Sequence, residues 1–193
     1  MTARLDAQFA FLREADKLKS VLRASRLIDG SRRENSAEHS WHIMLHAMVL
    51  ADQAGPDVQI FRVLKMLVLH DLVEIDAGDA PIHGDVDHAA MARKEQAAAD
   101  RLFALLPGDQ ADEFRALWDE FEAAASPDAM FAKAIDRVQT PVANLASGGG
   151  TWIDYDVTLA QMDHRVGVPV RRGAPGIWDW LRPQLQAFFS KST

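Results

Sequence analysis

The chain has 193 residues, of which 48% are hydrophobic and 25% charged, a composition typical of a globular protein with a single core. Its net charge of -7 argues against a nucleic-acid polymer as a partner, because binding a polyanion requires a basic face. The absence of cysteine excludes disulfides and thiolate metal sites and fits a reducing compartment. The charged N-terminus lacks a signal-peptide segment and no apolar run is long enough to span a membrane, so we expect a cytoplasmic protein without a membrane partner.

Hydrophobic residues recur at helical spacing along nearly the whole chain, and no stretch alternates with a period of two. The predicted helices cover 7–23, 37–53, 58–75, 87–106, 109–124, a segment from 126 to near 148, and one or two further segments around 156–165 and 177–189. This pattern predicts an all-α fold, a single helical domain of six to eight helices. Its core is predicted at about 10–155, with a C-terminal helical extension over 156–193.

Local signals mark two of the helix starts. Asn35 and Ser36 end a polar, turn-rich segment, and both are residues that favour the N-cap position of a helix. Ser126 offers a cap, Pro127 a first-turn proline, and Asp128 an acid that suits the positive end of the helix dipole. We therefore expect well-defined helix starts near residues 36 and 127.

The stretch LVLHDLVEIDAGDAP, residues 67–81, combines a strongly apolar run with four acids and a histidine. On the predicted third helix, His70 and Glu74 are four residues apart and Asp71 and Glu74 are three apart, so they share a face. Desolvating an unpaired charge is costly. Two interpretations follow: an ordinary amphipathic helix with this face in water, or a group of side chains that converge on something that neutralises them.

On the predicted second helix, His39, His42 and His46 form one stripe at positions i, i+3 and i+7. His39 lies near the helix start, where the capped backbone would hold it in a fixed direction. For His42 and His46 we favour a structural role, as imidazoles hydrogen-bonded to their neighbours at the edge of the core. Either of them remains an open candidate for a metal site.

Asp136 lies deep in the sixth predicted helix, among apolar residues. A lone acid in the middle of a helix usually pairs with a nearby cation, and Lys133 and Arg137 are available for this. A functional role is the alternative.

Taken together, His39, then His70-Asp71, then Asp136, each on a different predicted helix, resemble the signature of the HD-domain metal-dependent phosphohydrolases. The segments ENSAEHSW, KMLVLHDLVEIDAGDAP and AIDRVQTPVANLASGG are similar to the helix entrance, the HD-x-x-E…Gly-Asp…Pro segment and the later aspartate helix of the small 5'-deoxynucleotidase-like branch. The resemblance covers about residues 10–155.

The resemblance implies that His39, His70, Asp71 and Asp136 hold one divalent metal ion. Two neutral imidazoles and two carboxylates suit a transition metal such as Mn, Co, Fe or Zn. The charge of the ion also offsets the two carboxylates, which accounts for acids in so apolar a segment.

The resemblance further implies a catalytic role for Glu74, as the general acid or base that manages a proton. Asp79 is similar to the family's sugar-contacting aspartate, although it could equally be a turn residue that bonds its own backbone. The branch carries an Arg-Trp pair before the polar loop, whereas here Arg26 is followed by Leu and Ile. We assign substrate binding to Asp79 and Arg26, and Arg32 or Arg33 could supply the phosphate contact instead.

The expected function is therefore release of phosphate from (deoxy)nucleoside 5'-monophosphates, a small-molecule substrate. An HD-type phosphodiesterase or pyrophosphohydrolase is the alternative, as is a non-catalytic module that binds metal and nucleotide. The resemblance also implies a homodimer.

Overall fold

The computed structural model describes residues 2–84 and 86–191, and most of this chain is helical. The helices are α1 (Thr2–Ala15), α2 (Ser36–Val49), α3 (Ile60–Leu69), α4 (Glu74–Ala77), α5 (His88–Phe103), α6 (Gly108–Ala123), α7 (Pro127–Ala146), α8 (Thr151–Asp154), α9 (Leu159–Arg165), α10 (Gly167–Gly173) and α11 (Pro175–Phe189). In the described part, seven α-helices have ten residues or more. The all-α prediction is confirmed.

The predicted helix starts at residues 36 and 127 are both present. The Asn35 side chain accepts a hydrogen bond from the Glu38 N–H at 2.9 Å, and the Glu38 carboxylate accepts one from the Asn35 N–H, which completes a capping box. Ser126 caps α7 by accepting from the Ala129 N–H, with Pro127 as the first helical residue. These caps fix where α2 and α7 begin, and each helix carries part of the site described below.

The first predicted helix is too long, because the chain leaves the helix before residue 23. After α1 comes a 3₁₀ segment, Asp16–Ser20, and then strand β1 (Leu22–Arg26), which pairs antiparallel with β2 (Arg33–Asn35). Hydrophobic periodicity could not reveal this small ribbon, because the strands are five and three residues long and mostly polar.

The third predicted helix is also interrupted. The α-helix α3 ends at Leu69, residues His70–Val73 form a 3₁₀ turn, and α4 follows directly. The tighter turn changes the angle between successive side chains, so His70, Asp71 and Glu74 are not one continuous α-helical face. All three are nevertheless buried, which excludes the interpretation as a water-facing amphipathic stripe.

Helix α7 lies at the centre of the fold. It packs against α2, α3, α6, α10 and α11, and its Phe131, Ile135 and Val138 are almost completely buried. Because it is surrounded by other elements, a polar residue on α7 must meet partners from those elements rather than water. Among the helices that the structure describes, none combines the length and apolar character needed to cross a membrane.

The C-terminal helices are held against α7 by a close backbone approach. A Cβ atom placed on Gly173, at the end of α10, would lie 2.0 Å from the carbonyl oxygen of Met130 and 2.9 Å from the Cβ of Ala134. Only glycine fits at this crossing. The predicted boundary between a core and an extension at residue 156 stays a prediction.

We expect Gly173→Ala to destabilise the protein, because the methyl group would force α10 away from backbone atoms of α7. Overpacking of this kind costs about 1–3 kcal/mol, measured as the free energy of unfolding in urea. Gly108→Ala is the matched control, since a Cβ at the start of α6 meets no atom within 4 Å. Equal stability of the two variants would contradict the proposed packing constraint.

Candidate metal centre

Three of the predicted metal ligands converge at one point. His39 comes from α2, His70 from the 3₁₀ turn after α3, and Asp136 from the middle of α7. One ligand atom from each lies within 4.8 Å of the others, and no other group of three or more such side chains was found among residues 2–84 and 86–191. Residues far apart in the chain therefore meet because α7 crosses both α2 and α3.

The separations within this group are short. His39 Nε2 lies 3.1 Å from Asp136 Oδ1, and His70 Nε2 lies 3.8 Å from the same oxygen. Asp71 is outside the convergent group of three, but its Oδ1 is 2.8 Å from His70 Nε2. The fourth predicted ligand thus contacts the cluster through His70.

The chemistry of these side chains fits a divalent ion. His70 Nε2 is buried and faces carboxylate oxygens, but none of them is aligned to form a hydrogen bond with it. Most buried polar atoms have such a partner. Its Nδ1 donates to the Leu67 carbonyl at 2.8 Å, so the Nε2 atom is the one turned toward the cluster. A mixed nitrogen and oxygen set of this kind suits Mn, Co, Fe or Zn.

The histidine and the carboxylates of the cluster shift one another's pKa values. Burial alone lowers the pKa of His70, but the charges of Asp71 and Asp136 outweigh it and raise that pKa to about 9. Burial raises the pKa of Asp71, yet His70 and Arg23 bring it down to about 2. For Asp136 the effect of burial is likewise outweighed, by the His39 hydrogen bond and Arg137, and its pKa lies well below the usual range. Both carboxyl groups are therefore held as carboxylates.

The remaining histidines of α2 have structural partners. His46 Nδ1 donates to the main-chain carbonyl of His42 at 2.9 Å, and His42 Nδ1 accepts from the amide of Gln139 at 3.2 Å. Neither imidazole belongs to the convergent group.

Glu74 lies one turn beyond the cluster, at the start of α4, where it is buried. Its carboxyl group accepts a hydrogen bond from the Ser36 hydroxyl at the start of α2. Burial, and then the nearby charge of Asp71, raises the pKa of Glu74 to about 8, although Arg23 acts against this. A carboxyl group with such a pKa can hold a proton near neutral pH.

Asp79 follows Gly78, whose φ of 77° turns the chain back toward the hairpin. Its carboxylate accepts a hydrogen bond from the Ala24 N–H at 3.1 Å, rather than from its own turn. Burial raises the pKa of Asp79, while Arg23 lowers it.

Arg23 is a member of the site that the sequence does not single out. Its Nη1 donates to Asp71 Oδ2 at 3.2 Å and lies 3.9 Å from Asp79 Oδ1, and its Nε is 3.5 Å from Glu34 Oε2. The nearby carboxylates, led by Asp71, raise its pKa in spite of burial. In the sequence, Arg23 is marked only by its position shortly before the polar loop. Arg26 has the same feature, so the sequence does not distinguish the two arginines.

Arg26 does not line the cavity at this site, and its role in substrate binding stays a prediction. It is exposed at the end of β1 and lines a separate cavity together with Arg32 and Trp41. Arg23 and Ser25 both contact Glu34, whereas a register irregularity between Leu22 and Arg26 interrupts the regular alternation of side chains before Arg26. Arg32 and Arg33 lie outside the site as well, because Arg32 pairs with Glu38 and Arg33 is exposed.

A cavity of about 580 Å³ opens onto the cluster and is lined by His70, Asp71, Glu74, Asp79 and Asp136. Its wall also carries the cations Lys133, Arg137 and Arg165. A smaller recess of about 80 Å³ adjoins it and shares Arg23, Asp79 and Asp136 with it. The larger volume is in the range of pockets that enclose small organic ligands.

Comparison with known proteins agrees with this geometry. The family model described as "HD domain" matches residues 15–178. The chain belongs to the HD-domain family. A crystal structure of a predicted metal-dependent phosphohydrolase from Magnetospirillum magnetotacticum MS-1 superposes with a TM-score of 0.93 at 46% identity, covering 98% of this HD-domain chain and 97% of that one.

Curated relatives share the family. The human 5'-deoxynucleotidase HDDC2 is 28% identical over 161 residues, which cover 80% of this chain and 78% of the human protein. The 5'-deoxynucleotidase hdd1 of Schizosaccharomyces pombe is 31% identical over 134 residues, covering 67% of this chain and 66% of the yeast protein.

We expect Asp136→Ala to abolish retention of a divalent ion, because the variant loses the oxygen that lies 3.1 Å from His39 Nε2 and 3.8 Å from His70 Nε2 and so joins the two imidazoles. Metal analysis of the purified protein measures this, and circular dichroism should show most of the helicity retained. Asp76→Ala is the control, since Asp76 lies near Glu74 in the chain but pairs with Arg101 at the surface. Full metal occupancy in Asp136→Ala would remove Asp136 from the site.

Proposed function

We propose that this HD-domain protein is a metal-dependent phosphohydrolase that releases phosphate from (deoxy)nucleoside 5'-monophosphates. The observation that carries the proposal is the convergence of His39, His70 and Asp136 below a cavity large enough for a nucleotide. The names of the relatives, 5'-deoxynucleotidases and a metal-dependent phosphohydrolase, support the same reaction class.

In this proposal His39, His70, Asp71 and Asp136 hold one ion of the Mn, Co, Fe or Zn type. Asp71 contacts His70 and is positioned by Arg23, so its carboxylate is already oriented toward the cluster. When bound, the ion supplies Lewis acidity, which withdraws charge from the phosphoryl group and makes water more acidic.

Glu74 is proposed as the general acid or base. Its carboxyl group lines the cavity, and its raised pKa lets it hold a proton that a departing nucleoside oxygen requires. The hydroxyl of Ser36 fixes the position of the Glu74 carboxyl group relative to α2. The buried environment thus gives the Glu74 carboxyl group a pKa suited to proton transfer near neutral pH.

Arg23 is proposed to bind the phosphate in place of Arg26. A guanidinium presents several N–H donors in one plane, which suits phosphate oxygens, and Arg23 lines both the large cavity and the recess beside it. Asp79 is proposed to contact the sugar. The residue between Arg23 and Ser25 is the small Ala24, which leaves the recess beside Asp79 open.

A phosphodiesterase or pyrophosphohydrolase would use the same residues, because the fold alone does not determine the substrate. Among the described residues there is one convergent group of metal-binding side chains, which provides for one ion. This favours attack at a terminal phosphoryl group over reactions that need two metal ions. A purely binding module would not need the proton carrier that Glu74 offers.

Two further expectations stay predictions. The first is a cytoplasmic location. The second is a homodimer, for which α2 offers an exposed apolar surface that includes Trp41, Leu45 and Met48, together with Trp180 of α11.

We expect Glu74→Gln to keep its metal ion but to lose turnover by about 10²–10⁴, the usual scale for a general acid or base. Glutamine keeps the shape and the contact with Ser36 but cannot carry the proton. Phosphate release and metal content are measured on the same preparation, with Asp76→Asn as the control. Wild-type turnover in Glu74→Gln would reject the assigned role.

We expect phosphate release from 5'-monophosphates, with di- and triphosphates as poor substrates. The comparison is kcat/KM for matched deoxy- and ribonucleoside 5'-monophosphates, in the wild type and in Asp79→Ala. Because a mismatched sugar would leave a buried carboxylate unpaired, the variant should discriminate less between the two sugars. The open recess beside Asp79 predicts that the wild type also accepts ribonucleotides. Cleavage of cyclic or diester substrates, with no phosphate from any monophosphate, would overturn the proposal in favour of a phosphodiesterase.

A further inference from the structure

A second polar network lies behind His39, on the side away from the cavity. Gln139 is one turn after Asp136 on α7 and is almost fully buried, as is Glu34 of β2. The Gln139 Nε2 donates to Glu34 Oε1 at 3.0 Å, and the Gln139 Oε1 lies 3.2 Å from His39 Nδ1. Neither residue lines the large cavity; both lie at the separate cavity that Arg26 lines, so neither faces the substrate pocket proposed above.

The carboxylate determines which way the amide points. Carboxylate oxygens accept hydrogen bonds, and Ser25 and Arg23 also approach Glu34 with donors, so the NH₂ group of Gln139 faces Glu34 and its carbonyl oxygen faces His39. The hydroxyl of Thr140 also donates to that oxygen at 3.1 Å, which supports the same orientation. The reversed amide would place oxygen against oxygen at Glu34.

The amide in turn determines the state of the imidazole. A carbonyl oxygen accepts but cannot donate, so His39 must present a proton on Nδ1. The Nε2 atom, 3.1 Å from Asp136 Oδ1, would then be the ligand atom of the neutral imidazole when a metal ion takes the place of the proton shared with Asp136. The Nδ1 proton of His70 is held differently, because this atom donates to the main-chain carbonyl of Leu67. A side-chain substitution cannot remove that acceptor.

We propose that Gln139 and Glu34 are positioning residues that hold His39 in the orientation and tautomer required for metal binding. The proposal rests on the metal centre proposed above. Glu34 also accepts from Ser25 at 3.2 Å and lies near Arg23, so it connects the hairpin to His39. Hydrogen bonds from such buried polar partners fix the ring orientation and tautomer of a metal-binding histidine.

The test measures the affinity of the metal-free protein for Co²⁺ alone, by competition with a chromophoric chelator, together with the visible absorption of the bound ion. We expect Gln139→Ala to weaken Co²⁺ binding by about 10–100-fold, the usual effect of removing the partner of a metal-bound histidine. Asn144→Ala is the matched control. Asn144 is another buried amide of α7, but its Nδ2 donates to Thr151 and not to a histidine.

A reciprocal exchange separates alignment from simple loss of packing. Glu34→Gln should weaken binding, because the amide of Gln139 is then free to turn its NH₂ group toward His39. The double variant Glu34→Gln/Gln139→Glu should recover most of the affinity, since a carboxylate at position 139 can only accept the Nδ1 proton. This comparison also holds if Gln139→Ala fails to fold.

The outcomes are distinct. Unchanged Co²⁺ affinity in Gln139→Ala and Glu34→Gln, or a double variant no tighter than Glu34→Gln, would overturn the positioning role. A loss in Asn144→Ala equal to that in Gln139→Ala would also overturn it, because it would show a general effect of destabilising α7. A wild-type protein that binds no Co²⁺ would instead refute the metal centre itself.

Discussion

The cost of removing charge from water is the constraint on which this molecule depends. The helical bundle buries Glu34, Asp71 and Glu74 among apolar side chains, with Asp136 close to them. An isolated carboxylate in such a place would be strongly unfavourable, so positive charge must be present nearby. Arg23 supplies part of it from the hairpin, and His70, whose pKa the carboxylates raise, supplies more. The proposed divalent ion would offset the remaining negative charge. The positively charged groups of the site therefore make the burial of these carboxylates possible.

The backbone meets this constraint by departing from regular helix where the charges gather. A straight α-helix through residues 58–75 would spread His70, Asp71 and Glu74 along one face. His70 and Asp71 lie within the 3₁₀ turn at His70–Val73, Glu74 follows it, and all three are buried; the Trp118 indole donates to the main-chain carbonyl of His70 in this turn. The β1–β2 ribbon brings Arg23 over the same region, although its short polar strands add little to the apolar core.

Those parts of the site that depend on local chemistry could be predicted from the sequence. Asn35 and Ser126 act as the caps expected of them. The resemblance to the HD-domain signature adds four expected ligands, of which His39, His70 and Asp136 converge and Asp71 lies beside them. Arg23 and Gln139 could not be found in this way. Their importance arises from contacts with residues 48 and 100 positions away, which become visible only once the helices are packed.

Arg26 illustrates the same limit from the other direction. An arginine near the polar loop is a reasonable choice on composition alone, but the direction of a side chain on a strand depends on the pairing of that strand and on its register irregularities, here between Leu22 and Arg26. The sequence pattern does not predict the hairpin, so it offers no means of choosing between residues 23 and 26. Small irregular elements therefore decide substrate contacts, even in a protein whose architecture is almost entirely helical.

Helix α7 carries both Asp136 and Gln139, three residues apart. This spacing restricts where residues can be inserted into the chain or deleted from it. Each residue of an α-helix turns by about 100°, so one inserted residue between them would rotate the aligning amide away from His39 while Asp136 stayed in place. Insertions in the loops at either end of α7 would leave that angular relation intact. Length variation among relatives should therefore be confined to the loops, with residues 136–139 kept as a unit of constant length.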